Sequence, residues 1–299
     1  MNELLSMLVC PNCKHEFEKV GNASLRCMNC GRNVPLLDGK PVFTPMPETA
    51  HVYQPIERGP DQGTPWRQAN WRFLEKQVQG LDKDALILDV GAGHGDFAQT
   101  YAGRKALSLD VVPYPEVDLT CDLAECVPFR ESSFDMLILM NVLEHVYNFH
   151  GLLDSLFYLL KPGGSLIIAV PFMIKIHQAP FDFQRYTHYS LEQMARQHGF
   201  EIALLEGYYD PIFFLSEGTR NFRFWVLPKL SRPARWLGRG ILILIEGLIA
   251  LLRPIVGKGY LRPPDAAKNP AAIGYHLVLK KPRLVEQMAE EHRRLLNQQ

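Results

Sequence analysis

ALILDVGAGHGDFAQTYAG, residues 85–103, decides the fold. Leu86–Val90 is a short, unbroken apolar run, the pattern of a strand buried on both faces of a sheet. Gly91, Gly93 and Gly95 follow at once and read as a turn into a helix that brings backbone N–H groups close to a ligand. The dinucleotide fingerprint G-x-G-x-x-G would require glycine at position 96, where Asp96 stands. The loop is instead Asp89-x-Gly-x-Gly-x-Gly, with an acid at the end of the strand. That placement suits a cationic or amino-bearing ligand better than a pyrophosphate.

Working outward, WRQANWRFLEKQVQG (66–80) reads as a helix leading into this strand. KALSLDV (105–111) is a second strand ending in Asp110, placed to accept hydrogen bonds from ribose hydroxyls. VDLTCDL (117–123) is a third, ending near Asp122. Phe134–Met140 is a fourth, with Asn141, Glu144 and His145 just beyond it. LLDSLFYLLKPGGSLIIAVPF then supplies a helix, a Lys-Pro-Gly-Gly turn and a fifth strand. GFEIALLEGYY (199–209) and AIGYHLVLKKP (272–282) are the sixth and seventh. Alternating strands and helices predict an α/β, doubly wound, Rossmann-like sheet of seven mostly parallel strands, with ligands at the strand C-termini.

Taken in order, LDVGAGHGDFA, LSLDV, CDLAECVPF, SFDMLILMNVLEHV and LKPGGSLIIAVP resemble the successive motifs of class I S-adenosylmethionine-dependent methyltransferases, the type 11 group in particular. The resemblance runs over residues 84–206 and implies a methyl-transferring enzyme with S-adenosylmethionine as its cofactor. It implies that Asp89 and Gly91, Gly93 and Gly95 hold the methionine part, that Asp110 takes the ribose, that Asp122 and Leu123 flank the adenine, and that Asn141 lines the floor. His145 recurs in this group whatever the substrate, which marks a structural or cofactor-pocket histidine rather than a base. Cys121 and Cys126 read as buried small hydrophobes.

The acceptor side is expected in the loop 177–188, HQAPFDFQRYTH, ahead of a helix that Ser190 and Gln193 would cap near 191. Methyl transfer from a sulfonium is an in-line displacement, so positioning carries much of the catalysis, and a hydroxyl acceptor also benefits from a base. His177 is the first candidate for that base and Asp182 the second, while Arg185 could grip a phosphate or carboxylate in two-point fashion. The plainer reading is that Asp182 and Arg185, three apart, pair with each other and fix the loop. Within the resemblance, this loop pattern is associated with glycan or cell-envelope biosynthesis.

At the N-terminal end, CPNC (Cys10, Cys13) and CMNC (Cys27, Cys30) form two C-x-x-C turns that together complete a tetrahedral, closed and therefore structural Zn2+ site. With the Asp38–Gly39 hairpin turn, residues 3–43 resemble the zinc-ribbon family of methyltransferase activators. The expected organisation is a ribbon over 1–45, a proline-rich linker over 46–65 and a methyltransferase domain over 66–299.

About sixty residues separate the sixth and seventh strands, an insertion over 210–271 that contains ILILIEGLIALL (241–252). Twelve apolar residues fall short of the roughly 20 needed to cross a bilayer, and one crossing would separate the seventh strand from its sheet. As a helix from Ser231 to Pro254, it puts Arg232, Arg235, Arg239, Glu246 and Arg253 within an arc of roughly 60°. Residues 219–262 hold nine Lys/Arg and one Glu, with Phe222, Phe224, Trp225 and Trp236 interleaved. These features suit an anionic membrane surface, and the alternatives are a cap on the domain or a homodimer contact.

The chain carries 32 basic and 32 acidic residues, so no net field recruits nucleic acid. MNELLSMLVCP lacks the basic and apolar regions of a secretory signal, and the expected location is cytoplasmic, peripheral on the inner face of the cytoplasmic membrane. The expected reaction is O-methylation of a lipid-linked, glycan or envelope-related acceptor. An RNA or protein methyltransferase that uses the ribbon to hold its substrate, and a non-catalytic cofactor-binding scaffold, are the alternatives.

Overall fold

The computed structural model describes residues 2–46, 59, 61–256, 259–263 and 272–283. Most of the proline-rich stretch, the end of the insertion and the charged tail after 283 lie outside the described residues.

Helix α1 (Asn2–Met7) precedes an antiparallel meander of β1 (Phe17–Val20), β2 (Ser24–Cys27), β3 (Asn33–Leu37) and β4 (Lys40–Pro41). Asp38 and Gly39 join the last two strands with φ of 50° and 80°, the positive pair that a two-residue hairpin turn requires.

Helix α2 (Pro65–Gln79) starts where expected, because Thr64 accepts from the Arg67 N–H as N-cap and Pro65 sits in the first turn. The main sheet then builds from β5 (Leu86–Val90), β6 (Lys105–Asp110), β7 (Leu119–Thr120), β8 (Phe134–Met140), α3 (Phe149–Leu159), β9 (Leu160–Pro171), α4 (His188–Gln197) and β10 (Glu201–Tyr209). Helices α5 (Phe213–Asn221) and α6 (Arg232–Val256), β11 (Tyr260–Arg262) and β12 (Gly274–Lys280) complete it. The order across the sheet is β11-β10-β12-β9-β8-β5-β6-β7. Strands β7, β6, β5, β8 and β9 pair in parallel, and β12, β10 and β11 pair antiparallel.

The sheet therefore has eight strands, not seven. The extra one, β11, comes from the insertion and pairs Tyr260–Arg262 with Gly207–Tyr209, the Arg262 guanidinium lying 4.8 Å from the centroid of the Tyr209 ring. Three residues are too few to show a period in sequence.

Three local expectations change. The glycine loop opens a 3₁₀ turn over Ala98–Tyr101 rather than an α-helix, because Gly103 at φ 77° turns the chain straight back to β6. Helix α4 begins a turn earlier than expected: Thr187, not Ser190, is the N-cap and accepts from the Ser190 N–H. The Lys-Pro-Gly-Gly turn is a bulge within one twelve-residue strand, β9, whose register against β8 shifts between Phe134 and Met136.

The ribbon has its own sheet but shares a core with the large domain. Leu8 bridges to Phe129, Val42 bridges in parallel to Thr120, and Phe43 N–H donates to Thr120 O at 2.9 Å. Leu8, Cys10, Phe17, Val34 and Phe43 lie in one apolar cluster with Leu119, Leu123, Phe129 and Phe134. The edge strand β7 is thereby covered, which removes an exposed edge.

Helix α6 packs inside out. Only Gly238 and Leu242 of it are buried, while Trp236, Leu237, Ile243, Leu244, Leu251 and Ile255 are each 65–75% exposed. Two of its charges pair with the rest of the domain: Glu246 accepts from Arg223 at 2.5 Å, and Arg253 reaches buried Asp210 at 3.5 Å, while Arg232 and Arg239 are exposed. Among the described residues no helix is long and apolar enough to cross a membrane.

Candidate functional site

The C-terminal ends of β5, β6 and β8 meet at the glycine loop. Gly91, Gly93 and Gly95 have φ of 73°, 56° and 72°, which only glycine adopts without strain. A Cβ on Gly91 would lie 2.5 Å from Val142 Cγ2, so the loop sits directly on the chain leaving β8. A Cβ on Gly93 would meet nothing within 4 Å, leaving that face of the loop open.

Asp89 is buried, accepts from the Tyr101 hydroxyl at 2.7 Å, and has its carboxyl pushed up to about 6 by burial against the pull of that hydrogen bond, with Asp110 adding to the rise. Asp110 accepts from the N–H groups of Gly93 and Val112 at 2.9 Å each, which ties the end of β6 to the loop. Asp122 accepts from Ala124 N–H, and its own N–H donates to Thr44 Oγ1 at 2.8 Å, so the ribbon reaches the edge where Asp122 and buried Leu123 sit. Asn141 has φ 54° and accepts from Trp66 Nε1 at 3.0 Å and Asn70 Nδ2 at 3.3 Å. The glycine loop, the acids at the strand ends and the open face above Gly93 fit S-adenosylmethionine.

Several supporting residues went unassigned in the sequence reading. His276 is fully buried between the rings of Trp66 (4.9 Å) and Phe73 (4.2 Å), bonded to Asn70 at 2.7 Å, and burial holds it below the usual imidazole range. Arg67 grips Asp96 through Nε and Nη2, each at 2.8 Å, and so fixes α2 to the glycine loop. Trp66, Asn70 and Phe73 at i, i+4 and i+7 were the available signal of an inward helix face.

On the acceptor side, the structure brings His177, Asp182 and Arg185 together and adds Glu144 and His145. Arg185 grips both Asp182 oxygens at 2.5 and 2.8 Å and donates to the carbonyls of Ile174, Lys175 and Gln184. The two-point grip expected for a substrate anion is thus occupied by Asp182. Burial alone would raise the Asp182 carboxyl, but Arg185 and the His177 N–H (2.7 Å) hold it down at about 2. His177 Nδ1 lies 3.3 Å from Asp182, and its Nε2 lies 3.8 Å from Glu144, whose carboxylate raises the imidazole above its ordinary range. Glu144 is wholly buried.

In the ribbon, Cys10 and Cys30 Sγ atoms are 3.6 Å apart and those of Cys13 and Cys27 3.4 Å, with all four within 4.8 Å of one another. A tetrahedron with about 2.3 Å metal–sulfur bonds has edges close to this, so the cluster fits a zinc ribbon.

Residues 66–205 match the family model described as a methyltransferase domain. A demethylmenaquinone methyltransferase of Tropheryma whipplei is 28% identical over 142 residues, covering 43% of this chain and 59% of its own. This chain therefore spans less than two thirds of that relative's length. A tRNA U34 carboxymethyltransferase of Desulfotalea psychrophila is 28% identical over 149 residues, covering 40% of this chain and 45% of its own. Among solved structures, a phosphoethanolamine N-methyltransferase 2 of Haemonchus contortus aligns with 72% of this chain and 53% of its own, at 18% identity and a TM-score of 0.44. The family match and this strand order agree that residues 66–205 form a methyltransferase domain of Rossmann-like fold, joined to an N-terminal four-cysteine ribbon.

Proposed function

We propose that the protein methylates an oxygen of a lipid-linked or other envelope-related acceptor while resting on an anionic membrane surface. The observation that carries this reading is the inverted amphipathicity of α6. Each large side chain on its outward face forgoes about 1.5–3 kcal/mol by staying in water, a cost that an apolar phase removes.

The location supports it. Strand β10 is antiparallel to β12, which is antiparallel to β9, so β10 ends at the same edge as the parallel strands. The insertion leaves the sheet at Asp210, at that ligand-binding edge. Between α6 and the preceding turn lies a cavity of about 420 Å³ lined by Arg223, Arg235 and Arg239 with Leu227 and Leu242, suited to an anionic amphiphile.

S-adenosylmethionine supplies an electrophilic methyl carbon when bound on the glycine loop. Asp89 would hold its ammonium, Asp110 its ribose, and Asp122 and Leu123 its adenine, with Asn141 lining the floor. The Asp182–Arg185 pair holds the His177 loop over the site, and His177 meets the acceptor's oxygen. In the ribbon, Cys10, Cys13, Cys27 and Cys30 hold a structural Zn2+ with no open position.

Membrane attachment is tested by sedimentation with vesicles of phosphatidylglycerol and phosphatidylcholine, using the intact chain and a Leu244→Glu, Leu248→Glu, Leu251→Glu variant. The expected result is that the intact protein pellets, less so at high salt, and the variant stays in solution. An intact protein that never pellets overturns the reading and moves soluble and macromolecular acceptors ahead. With labelled S-adenosylmethionine and a membrane-lipid extract, His177→Ala is expected to lower methyl incorporation about 10²–10⁴-fold while cofactor binding is kept.

A pH dependence follows from Asp89. Its ionised form pairs with the cofactor ammonium, and its proton cancels that pairing. Cofactor affinity should hold above about pH 6 and fall by up to about tenfold per unit below it, as read by calorimetry. A flat profile would remove Asp89 from the ammonium. In the cofactor-free protein the sign is opposite: this group favours the fold below about pH 4, and that contribution is lost as pH rises through about 6.

A further inference from the structure

We infer that Glu144, His145 and His177 form a second metal site, for a first-row divalent cation, at which the acceptor's oxygen is activated. This deepens the reading above and rests on it: what His177 presents to the acceptor is a cation rather than a free imidazole.

The hydrogen-bond pattern carries the argument. His145 Nδ1 lies 2.5 Å from the carbonyl oxygen of Phe181, which can only accept, so Nδ1 carries the proton and Nε2 a lone pair. His177 Nδ1 faces two acceptors, Lys175 O and Asp182 Oδ2, each at 3.3 Å, so with a cation bound it keeps the ring proton and Nε2 ligates; without one, Glu144 favours a proton on that Nε2. Both Nε2 atoms point at Glu144 Oε1, from 3.5 and 3.8 Å, beyond ordinary hydrogen-bond length. Both Glu144 oxygens and His145 Nε2 are buried without a hydrogen-bond partner.

Glu144 and His145 Nε2 thus set acceptor against acceptor, with half-buried His177 beside them, an arrangement that is unfavourable unless a proton or a cation stands between them. The three ligand atoms lie within 4.8 Å of one another. Two histidines and one carboxylate, each histidine fixed through its other ring nitrogen, make up a three-ligand set with positions left open.

The cluster lies beside the cofactor loop. Leu143–His145 follows directly on Val142, which abuts Gly91 of the cofactor loop. With the acceptor's hydroxyl at the cation, its proton leaves to solvent at a lowered pKa. The oxygen then bonds to the methyl carbon, and the electrons of the carbon–sulfur bond return to sulfur. No redox partner is needed.

The test is Mn2+ binding to the full-length protein, followed by electron paramagnetic resonance and equilibrium dialysis, with Glu144→Gln and His145→Ala/His177→Ala variants. Cofactor binding serves as the folding control, and the thiolate ribbon gives Mn2+ little competition. The expected result is about one equivalent of Mn2+ on the wild type and at least about tenfold weaker binding in either variant. Wild type that binds no Mn2+, as a protonated His177 paired with Glu144 would dictate, overturns the site. So does equal binding by the variants. If Mn2+ is not bound yet His177→Ala still abolishes methyl incorporation, the metal fails and the O-methylation reading stands. If Mn2+ is bound and lost in the variants, the site stands whatever the acceptor proves to be.

Discussion

Arg185→Ala is expected to destabilise the protein by about 3–5 kcal/mol, because it leaves the Asp182 carboxylate buried without its partner. The Asp182 side chain is 1% exposed and Arg185 24%, so water cannot replace the lost guanidinium cheaply. At the lower figure the melting temperature falls by about 6–12 °C for a domain of this size. Arg185→Lys should recover little of this, since an ammonium cannot make both bonds of the planar fork. The Asp182→Ala/Arg185→Ala pair should be milder than the sum of the single changes, because no buried charge is left over. Calorimetry on the wild type, Asp182→Ala, the two Arg185 variants and the double variant reads this directly. Strictly additive costs would show that the pair does not act as a unit, and that the loop over the site is held by something else.

The second large effect concerns the ribbon. Cys27→Ser, or chelation of the Zn2+ proposed there, is expected to unfold residues 2–46 and to lower the stability of the methyltransferase domain with them. Structural zinc contributes about 10–16 kcal/mol to the folding of isolated zinc fingers. Here the ribbon also buries Leu8, Phe17, Val34 and Phe43 in the cluster that contains Leu119, Phe129 and Phe134. Its loss exposes the β7 edge and frees the Asp122 N–H from Thr44, beside the cofactor's expected adenine position. Urea unfolding should therefore show one transition in the intact protein, shifted to lower urea when a cysteine is replaced. Two separate transitions, with the later one unmoved by chelator, would mean that the ribbon is a passenger.

Most of the cofactor half was legible before any coordinates. A buried parallel strand needs an unbroken apolar run, and a loop that lets backbone approach a ligand needs glycine, so Leu86–Val90 and Gly91 to Gly95 announce themselves. The same holds for the paired cysteine turns, because tetrahedral thiolate ligation demands short, fixed spacings. Hairpin chemistry at Asp38–Gly39 was equally local.

The acceptor half was only partly legible. The sequence singled out His177, Asp182 and Arg185 as one polar loop and left open whether the last two pair. It passed over Glu144 as a site residue, since that glutamate lies more than thirty positions away and its importance comes from what surrounds it. A carboxylate becomes chemically notable when it is buried without a donor, and burial is a property of the packed chain. His276 was missed for the same reason: its two ring neighbours come from α2, some two hundred residues earlier.

Helix α6 shows the division most clearly. Its narrow charged arc and wide apolar surface follow from a 3.6-residue period and are fixed by order of residues alone. Which side faces the protein is not, because Glu246 and Arg253 gain their meaning from Arg223 and Asp210, and only folding brings those within reach. By itself the sequence determined the buried apolar strands, the glycine loop and the paired cysteine turns, all set by interactions within a few residues. Only the tertiary structure decided that the ribbon shares a core with the large domain, that an eighth strand extends the sheet at its edge, and that α6 turns its apolar face outward. Those depend on contacts between distant segments, whose free energy no local pattern encodes.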